Sequence, residues 1–328
     1  MLKTRRMAQA LGAGALVATL LATGGAAKAK GPTTTVQKYG WHDASEYDAK
    51  WAAAFGPGEG TRSVRSNAVT VNAAPFTTGV DFSVFDHLKY IRTSTQSFDV
   101  PTVGSVEVSV DIEAETPGTE AGRIVHGCYG PPGWQIGDFC AQPFAQVARE
   151  GQQAGVVLNV INFQTGQLFD WFVSGGQVFA LIQRLPSTVT GSPGVGPDLM
   201  YTQIIKEAPI NDRKHNVSIR YSRGPGKSTV EYFLDQKLFT TIDQVGIPLD
   251  KRNPPLPFTG YAPSLGNGAQ VGLDSVVIGH GLFSLLDAFP YQHADVPLLS
   301  VSVPRSERLF GQGAIGTWKD FEVRTTTS

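Results

Sequence analysis

The sequence has few charged residues, few cysteines and no excess of charge of one sign. Charged residues make up 17% of the 328 residues, and the formal net charge is −1. No broad electrostatic field therefore favours nucleic acid or an acidic membrane as a partner. The GxSxG motif of serine hydrolases and glycine-rich phosphate-binding loops are also missing. These absences leave serine-hydrolase, nucleotide-binding and nucleic-acid-binding functions without support.

The only two cysteines are Cys128 and Cys140. In an exported protein two such cysteines are expected to form a disulfide. Closing a loop of ~12 residues would stabilise the fold by up to about 3 kcal/mol. The alternative is a reactive thiol pair, but the spacing is too wide for a redox CxxC motif. A Cys128–Cys140 disulfide is therefore predicted.

Residues 1–29 have the order of a secretory signal peptide. A positive start precedes an apolar stretch over residues 10–21, which is shorter than the ~20 apolar residues of a transmembrane helix. Ala27 and Ala29 then fit a signal-peptidase site. The abundance of alanine and glycine is typical of a bacterial signal. We expect Sec or Tat export of a secreted mature chain, residues 30–328, with an anchored helix as the alternative.

Alternation of apolar and polar residues predicts a mature chain made mostly of strands. The clearest example is GSVEVSVDIEAET, at residues 104–116, where apolar and acidic or serine residues take opposite faces. Predicted turns lie at residues 164–166, 174–176, 223–226 and 235–236. Further strands are predicted at 64–72 and 86–98, and a short helix at 143–150, while 31–60 looks irregular. No linker or repeat divides the chain, which predicts a single domain over residues 30–328.

Three segments resemble the concanavalin A-like lectin and glucanase superfamily. They are the strand pair over 217–238, the closing strand over 317–323, and the entry over 41–71. The chain is also similar to a family of secreted bacterial proteins of unknown function. The resemblance implies an all-β fold, a two-sheet antiparallel jelly-roll sandwich in which the concave face of one sheet binds glycans.

The sharpest chemical signal is an acidic strand face formed by Asp111, Glu113 and Glu115, with Glu107 further back. Neighbours on this face lie about 6.5–7 Å apart, near the separations of paired glycosidase carboxyls. The resembling glucanases place glutamate, aspartate and glutamate at alternate positions of one strand. Aligned on Asp111 and Glu113, the first glutamate falls on Ser109; aligned on Glu113 and Glu115, it falls on Asp111. The hypothesis is that Glu113 and Glu115 form an acid/base pair tuned by Asp111. The alternative is a solvated strand face.

Aromatic residues offer platforms for a sugar ring, because an indole or phenol face covers the apolar face of a sugar. Trp134 and Tyr129 lie in or beside the predicted disulfide loop, and Trp171 lies in a strand. These three are the predicted ligand-binding residues. The alternative for Trp171 is a place in the core, together with Trp41 and Trp318.

The six histidines form no cluster with ligand spacing, so no metal or cofactor site is evident in the sequence. A calcium site built from oxygen ligands such as Asp43, Asp48 or loop carbonyls remains open, since the resemblance implies one.

The sequence therefore predicts a secreted, lectin-like β-sandwich that binds a polysaccharide or glycan without clear catalytic machinery. One alternative is a glycoside hydrolase or lyase that uses the acidic strand face. Another is a structural or small-molecule-binding protein. No nucleic-acid partner is expected, and no membrane partner after signal cleavage.

Overall fold

Strands make up most of the regular structure in the part of the chain that the computed structural model describes. The described residues are 31–77, 87–120, 122–123, 125–130, 144–148, 150–191, 194–196, 198–259, 264, 266–285, 300–302 and 311–328. The strands are, in chain order, β1 (Thr33–Lys38), β2 (Trp51–Ala52), β3 (Thr61–Arg65), β4 (Ala68–Ala73), β5 (Leu88–Ser94), β6 (Phe98–Asp99), β7 (Gly104–Glu115), β8 (Val125–Gly130), β9 (Phe144–Ala148), β10 (Gly155–Asn162), β11 (Gln167–Val173), β12 (Gln177–Arg184), β13 (Tyr201–Pro209), β14 (Lys214–Gly224), β15 (Lys227–Leu234), β16 (Lys237–Asp243), β17 (Ser275–Phe283), β18 (Ser300–Ser302) and β19 (Ala314–Thr327). The helices are α1 (Ala44–Lys50) and α2 (Ser187–Thr190), with 3-10 turns at Glu150–Gln152 and Leu249–Lys251.

The strands form two large antiparallel sheets and a small one. The first sheet has the order β16-β15-β14-β7-β19-β4-β3, with β1 beside β19. The second has the order β13-β12-β11-β10-β17-β5-β2, with β6 beside β17, and β18-β8-β9 form the small sheet. The two large antiparallel sheets confirm the predicted all-β, two-sheet sandwich. Pro32–Ser328 is one compact unit.

The core lies between the two large sheets, and two buried tryptophans join them in opposite directions. Trp171 on β11 of the second sheet donates from Nε1 to the carbonyl of Ser218 on β14 of the first sheet, at 2.9 Å. Trp318 on β19 of the first sheet donates to the carbonyl of Val157 on β10 of the second, at 2.9 Å. Each indole thus buries its apolar surface and still satisfies its N–H.

The alternation predicted for residues 104–116 is confirmed along β7. Its valines, Ile112 and Ala114 are buried, whereas the acidic residues and serines face outward. All four predicted turns connect neighbouring strands. Gly166 and Gly226 take positive φ. Asp235 and Gln236 also take positive φ, although neither is a glycine.

Three local predictions are wrong. Residues 64–72 form parts of two strands rather than one, because Asn67 adopts φ 54° and turns the chain between β3 and β4. The predicted helix over 143–150 is instead β9, whose backbone pairs with β8. The segment 31–60 contains helix α1, whose N-cap Asp43 accepts a hydrogen bond from the Glu46 backbone N–H at 2.9 Å.

The strand predicted over 86–98 is only partly confirmed. The structure places β5 at Leu88–Ser94 and a separate short strand, β6, at Phe98–Asp99. In the described part of the chain, every helix is too short to cross a bilayer.

Candidate functional site

The predicted catalytic carboxylates lie on the outward face of β7, and β14 runs antiparallel beside them. Each carboxylate has a donor or cation of its own: Asp111 accepts from Asn216 Nδ2 at 2.7 Å, Glu113 lies 3.3 Å from Lys214 Nζ, and Glu115 lies 2.8 Å from Arg213 Nη1. Further along the strand, Arg220 contacts both Glu107 and Glu231. The face is therefore a ladder of partnered carboxylates, in which Glu107, Glu113 and Glu115 pair with cations. The amide that holds Asp111 is neutral.

This ladder is the arrangement expected of a solvated strand face. Asp111, Glu113 and Glu115 stand in a row along one strand, and each is already held by a side chain on β14 or just before its start. The structure brings the three residues to the same face, as predicted. Their catalytic role stays a prediction.

A cavity lies where β7 ends, and we call it the end cavity. Its volume is about 870 Å3, within the range of about 300–1,000 Å3 usual for ligand sites. It lies between the end of β7 and the turn that joins β11 to β12. The described residues that line it are Glu115, Thr116, Pro117, Thr119, Gly122, Arg123, Gly151, Ser174, Gly175, Gly176, Gln177, Pro209 and Arg213. Of the predicted site residues whose side chains the structure describes, Glu115 alone lines this cavity.

The β11–β12 turn is held in place by local hydrogen bonds. The Ser174 N–H donates to the Gln177 carbonyl at 2.8 Å, and Ser174 Oγ accepts from the Gln177 N–H at 3.0 Å. Thr116, which follows β7 in the first sheet, accepts the Gly175 N–H at 3.0 Å. A Cβ atom added at Gly176 would meet no atom within 4 Å. The turn is thus fixed to both sheets while Gly176 leaves the cavity open.

Two guanidinium groups line the end cavity. The backbone of Arg213 is anchored, because its carbonyl accepts the Ala114 N–H at 2.9 Å, and its side chain pairs with Glu115. Arg123 donates from Nη1 to Gln312 Oε1 at 3.3 Å. Sequence reasoning missed both arginines, since neither sits in a recognisable motif and only the fold brings them to the cavity that Glu115 lines.

Trp171 is a core residue, and this corrects its prediction as a ligand-binding residue. Its side chain is fully buried, and its ring packs against Tyr232 and Phe239 at centroid distances of 5.7 and 5.0 Å. Because the indole has no open face, it offers no platform for a sugar ring. The alternative interpretation, a core position shared with Trp41 and Trp318, matches the structure.

The other predicted ligand and disulfide residues cannot be placed in a site. Trp134 and Cys140 lie outside the described residues. Tyr129 and Cys128 lie on β8, of which only the backbone is described. The disulfide and the aromatic platform therefore remain predictions.

The two carboxylates considered for calcium are occupied by other contacts. Asp43 caps α1, and Asp48 forms a two-pronged ion pair with Arg62 at 2.5 and 2.9 Å. Within the described ranges, no three His, Cys, Asp or Glu residues are placed to hold a metal ion.

A buried carboxyl that sequence reasoning did not single out lies on the other face of β11 from Trp171. Asp170 is 2% exposed, and it accepts hydrogen bonds from the amides of Asn159 and Gln183. Thr202 extends the network by donating to Gln183 Oε1 at 3.3 Å. Burial raises the pKa of Asp170 to about 7, and the two amide donors only partly offset this. The sequence signal that could have revealed this buried carboxyl is an aspartate inside the apolar run LFDWFV.

A family model described as "Family of unknown function (DUF6081)" matches residues 136–327. The chain belongs to this family. The segment matched by DUF6081 includes the β11–β12 turn and Arg213, but begins after β7 and its acidic face. No curated protein sequence matches this DUF6081 chain.

Several solved structures are similar to the DUF6081 chain at low identity. An endo-1,3-β-glucanase from Streptomyces sioyaensis is 10% identical over 91% of this chain and 97% of that chain, with a TM-score of 0.39. An inactivated mutant β-agarase B in complex with agaro-octaose is 10% identical over 90% and 95%, with a TM-score of 0.44. A legume lectin-like domain from Entamoeba histolytica is 9% identical over 87% and 95%, with a TM-score of 0.34.

Proposed function

We propose that this chain is a secreted carbohydrate-binding protein and that the end cavity is its binding site. The observation that carries the proposal is the chemistry of the cavity wall. Glu115 offers a carboxylate, Arg123 and Arg213 offer guanidinium donors, and Thr116 and Thr119 are hydroxyl residues of the lining. Sugar hydroxyls both donate and accept hydrogen bonds, so a wall of donors and acceptors suits them.

The ladder of partnered carboxylates on β7 supports binding without hydrolysis. Asp111 and Glu113 are each turned to a partner on β14 and do not line the end cavity. A single carboxylate, Glu115, faces the cavity from this row, whereas most glycosidases use two. The proposed protein therefore holds a glycan and leaves its glycosidic bonds intact.

The test is a glycan array combined with an assay for new reducing ends, using the purified mature chain. We expect binding without release of reducing ends. Gly176→Leu should abolish binding, because Gly176 lines the cavity and a Cβ built there meets no atom within 4 Å, so a larger side chain can be added in the space that the glycan would fill. Its control is Gly196→Leu, which also meets no atom within 4 Å and does not line the cavity.

A pair of charge variants separates the cavity from the acidic face. Glu115→Gln should change the affinity for glycan, because Glu115 lines the cavity, whereas Glu113→Gln, two residues earlier on the same face, should leave it unchanged. Release of reducing ends that is lost in Glu113→Gln would instead establish the glycoside hydrolase alternative. Equal binding by Gly176→Leu and the parent chain would contradict the proposed site.

Secretion is part of the proposal and has its own test. The signal-like order of residues 1–29 supports it. Expression in a bacterial host should yield a protein whose N-terminus, measured by mass spectrometry, follows Ala29. Recovery of the uncleaved chain in the membrane fraction would favour the anchored helix.

A further inference from the structure

The described lining of the end cavity carries more positive than negative charge. Its ionisable residues are Arg123, Arg213 and Glu115, so two positive charges face one negative charge. The chain as a whole has a formal net charge of −1, so this excess is a local property of the cavity. A local positive excess in a concave site favours an anionic ligand.

The ion pair in the cavity wall leaves Arg213 able to bind a ligand. The Arg213 side chain is 62% exposed and that of Glu115 is 38% exposed, so water screens their attraction. Their contact uses Nη1 of Arg213, and a guanidinium has further N–H donors in a fixed fork that matches a carboxylate or sulfate. An incoming anion can therefore share or replace Glu115 as the partner of Arg213.

The apolar part of the cavity wall also favours an anionic ligand. The described residues that line the end cavity include Pro117 and Pro209 but no aromatic residue. Stacking of a sugar on an indole or phenol ring is thus not offered by the described wall. Charge-assisted hydrogen bonds from the two arginines are the strongest contacts available there.

We infer that the end cavity takes an anionic saccharide, one that carries carboxylate or sulfate groups, with Arg123 and Arg213 as the residues that recognise its charge. This inference rests on the proposed carbohydrate-binding function and specifies the class of glycan. It assigns the positive lining of the cavity to recognition of the ligand's acidic groups.

The experiment is calorimetric titration of the mature chain with three probes: a polyuronate oligosaccharide, the same oligosaccharide after carboxyl reduction, and a sulfated oligosaccharide. The inference predicts binding of the polyuronate or the sulfated probe at least about tenfold tighter than the reduced one, the size expected for a hydrogen bond to a charged group. The two anionic probes distinguish a carboxylate from a sulfate ligand. Higher salt should weaken anionic binding.

Arginine variants test the assignment to residues. Arg213→Gln and Arg123→Gln should each remove most of the preference for the anionic probe. Arg65→Gln removes the same charge from an exposed residue that does not line the cavity, and should leave the preference intact. Equal loss in all three variants would show non-specific attraction and overturn the inference.

Binding of the neutral and anionic probes with equal affinity, abolished by Gly176→Leu, would overturn the inference and keep the proposed function. Absence of binding to every probe and to the glycan array would overturn both. The two failures are therefore distinguishable.

Discussion

Gln183 donates a hydrogen bond from Nε2 to Oδ2 of Asp170 at 2.6 Å, and both residues are buried. The two residues come from neighbouring strands, β11 and β12. Asn159 on β10 donates to the other carboxylate oxygen, so three adjacent strands meet at one carboxyl group. Two neutral amides cannot supply a charge to balance an ionised Asp170, so burial dominates its titration.

The first prediction is that the contribution of Asp170 to stability falls as pH rises from about 4 to about 7. Burial raises the folded pKa of Asp170 to about 7 from an ordinary value of 3.8, so the folded state holds a proton that the unfolded state releases. The contribution is complete below pH 4 and lost once pH exceeds about 7, at about 1.4 kcal/mol per unit of pKa shift. Asp170→Asn should flatten this slope in urea unfolding followed at several pH values. Asp320→Asn, at an exposed position, should not.

The second prediction is an opposite slope from His280. Its Nε2 lies 2.7 Å from the Tyr47 hydroxyl, and burial, aided by the charges of Arg92 and Arg62, lowers its pKa well below the usual range. The unfolded state therefore takes up a proton near pH 6.5 that the folded state does not bind, so the contribution of His280 to stability falls as pH drops below that value.

His280→Gln should remove this acid sensitivity in the same unfolding measurements, even if it lowers stability at neutral pH. The exposed His42→Gln variant is the control. An unchanged acid slope in His280→Gln would assign the sensitivity to other groups.

The third prediction concerns Trp171 as a core residue. Trp171→Phe removes buried volume and the hydrogen bond to the Ser218 carbonyl, and should cost about 2–4 kcal/mol of unfolding free energy. Glycan binding, measured well below the unfolding temperature, should be unchanged. Loss of binding with full stability would return Trp171 to the list of ligand-binding residues.

The fourth prediction concerns the turn between β15 and β16. Asp235 and Gln236 take φ values of 50° and 64°, a region that costs most residues about 1–2 kcal/mol but costs glycine little. Gln236→Gly should therefore stabilise the fold by about 0.5–1 kcal/mol, seen as a higher urea midpoint. Lys237→Gly, one residue later at the start of β16, should be destabilising. A lower midpoint for Gln236→Gly would mean that its side chain makes contacts that outweigh the backbone strain.

Elements with a strong local signal could be predicted from the sequence. The alternation in β7 follows from the two-residue period of a strand with one buried face, and the turns follow from glycine, asparagine or aspartate at positive φ. The errors came where local signals were weak. Asn67 gave a single cue for the β3–β4 hairpin, and β9 is a strand because β8 supplies its hydrogen bonds.

The candidate site could likewise be predicted only in part from the sequence. Glu115 could be placed on an outward face from its position in β7 alone. Its partner Arg213 lies about a hundred residues later, and only the pairing of β7 with β14 brings the two together. Asp170 has ordinary chemistry in the sequence, and its raised pKa comes from the burial that sheet packing imposes.

By itself the sequence determined the strand-rich character of this protein, the faces of β7 and the main turns, because these depend on residues within a few positions of one another. Only the tertiary structure decided that Trp171 is in the core and that each acidic residue on the outward face of β7 has a side-chain partner. It also decided that Glu115, Arg123 and Arg213 share a cavity. Those properties depend on which distant strands become neighbours, and burial and charge pairing are set by neighbours in space.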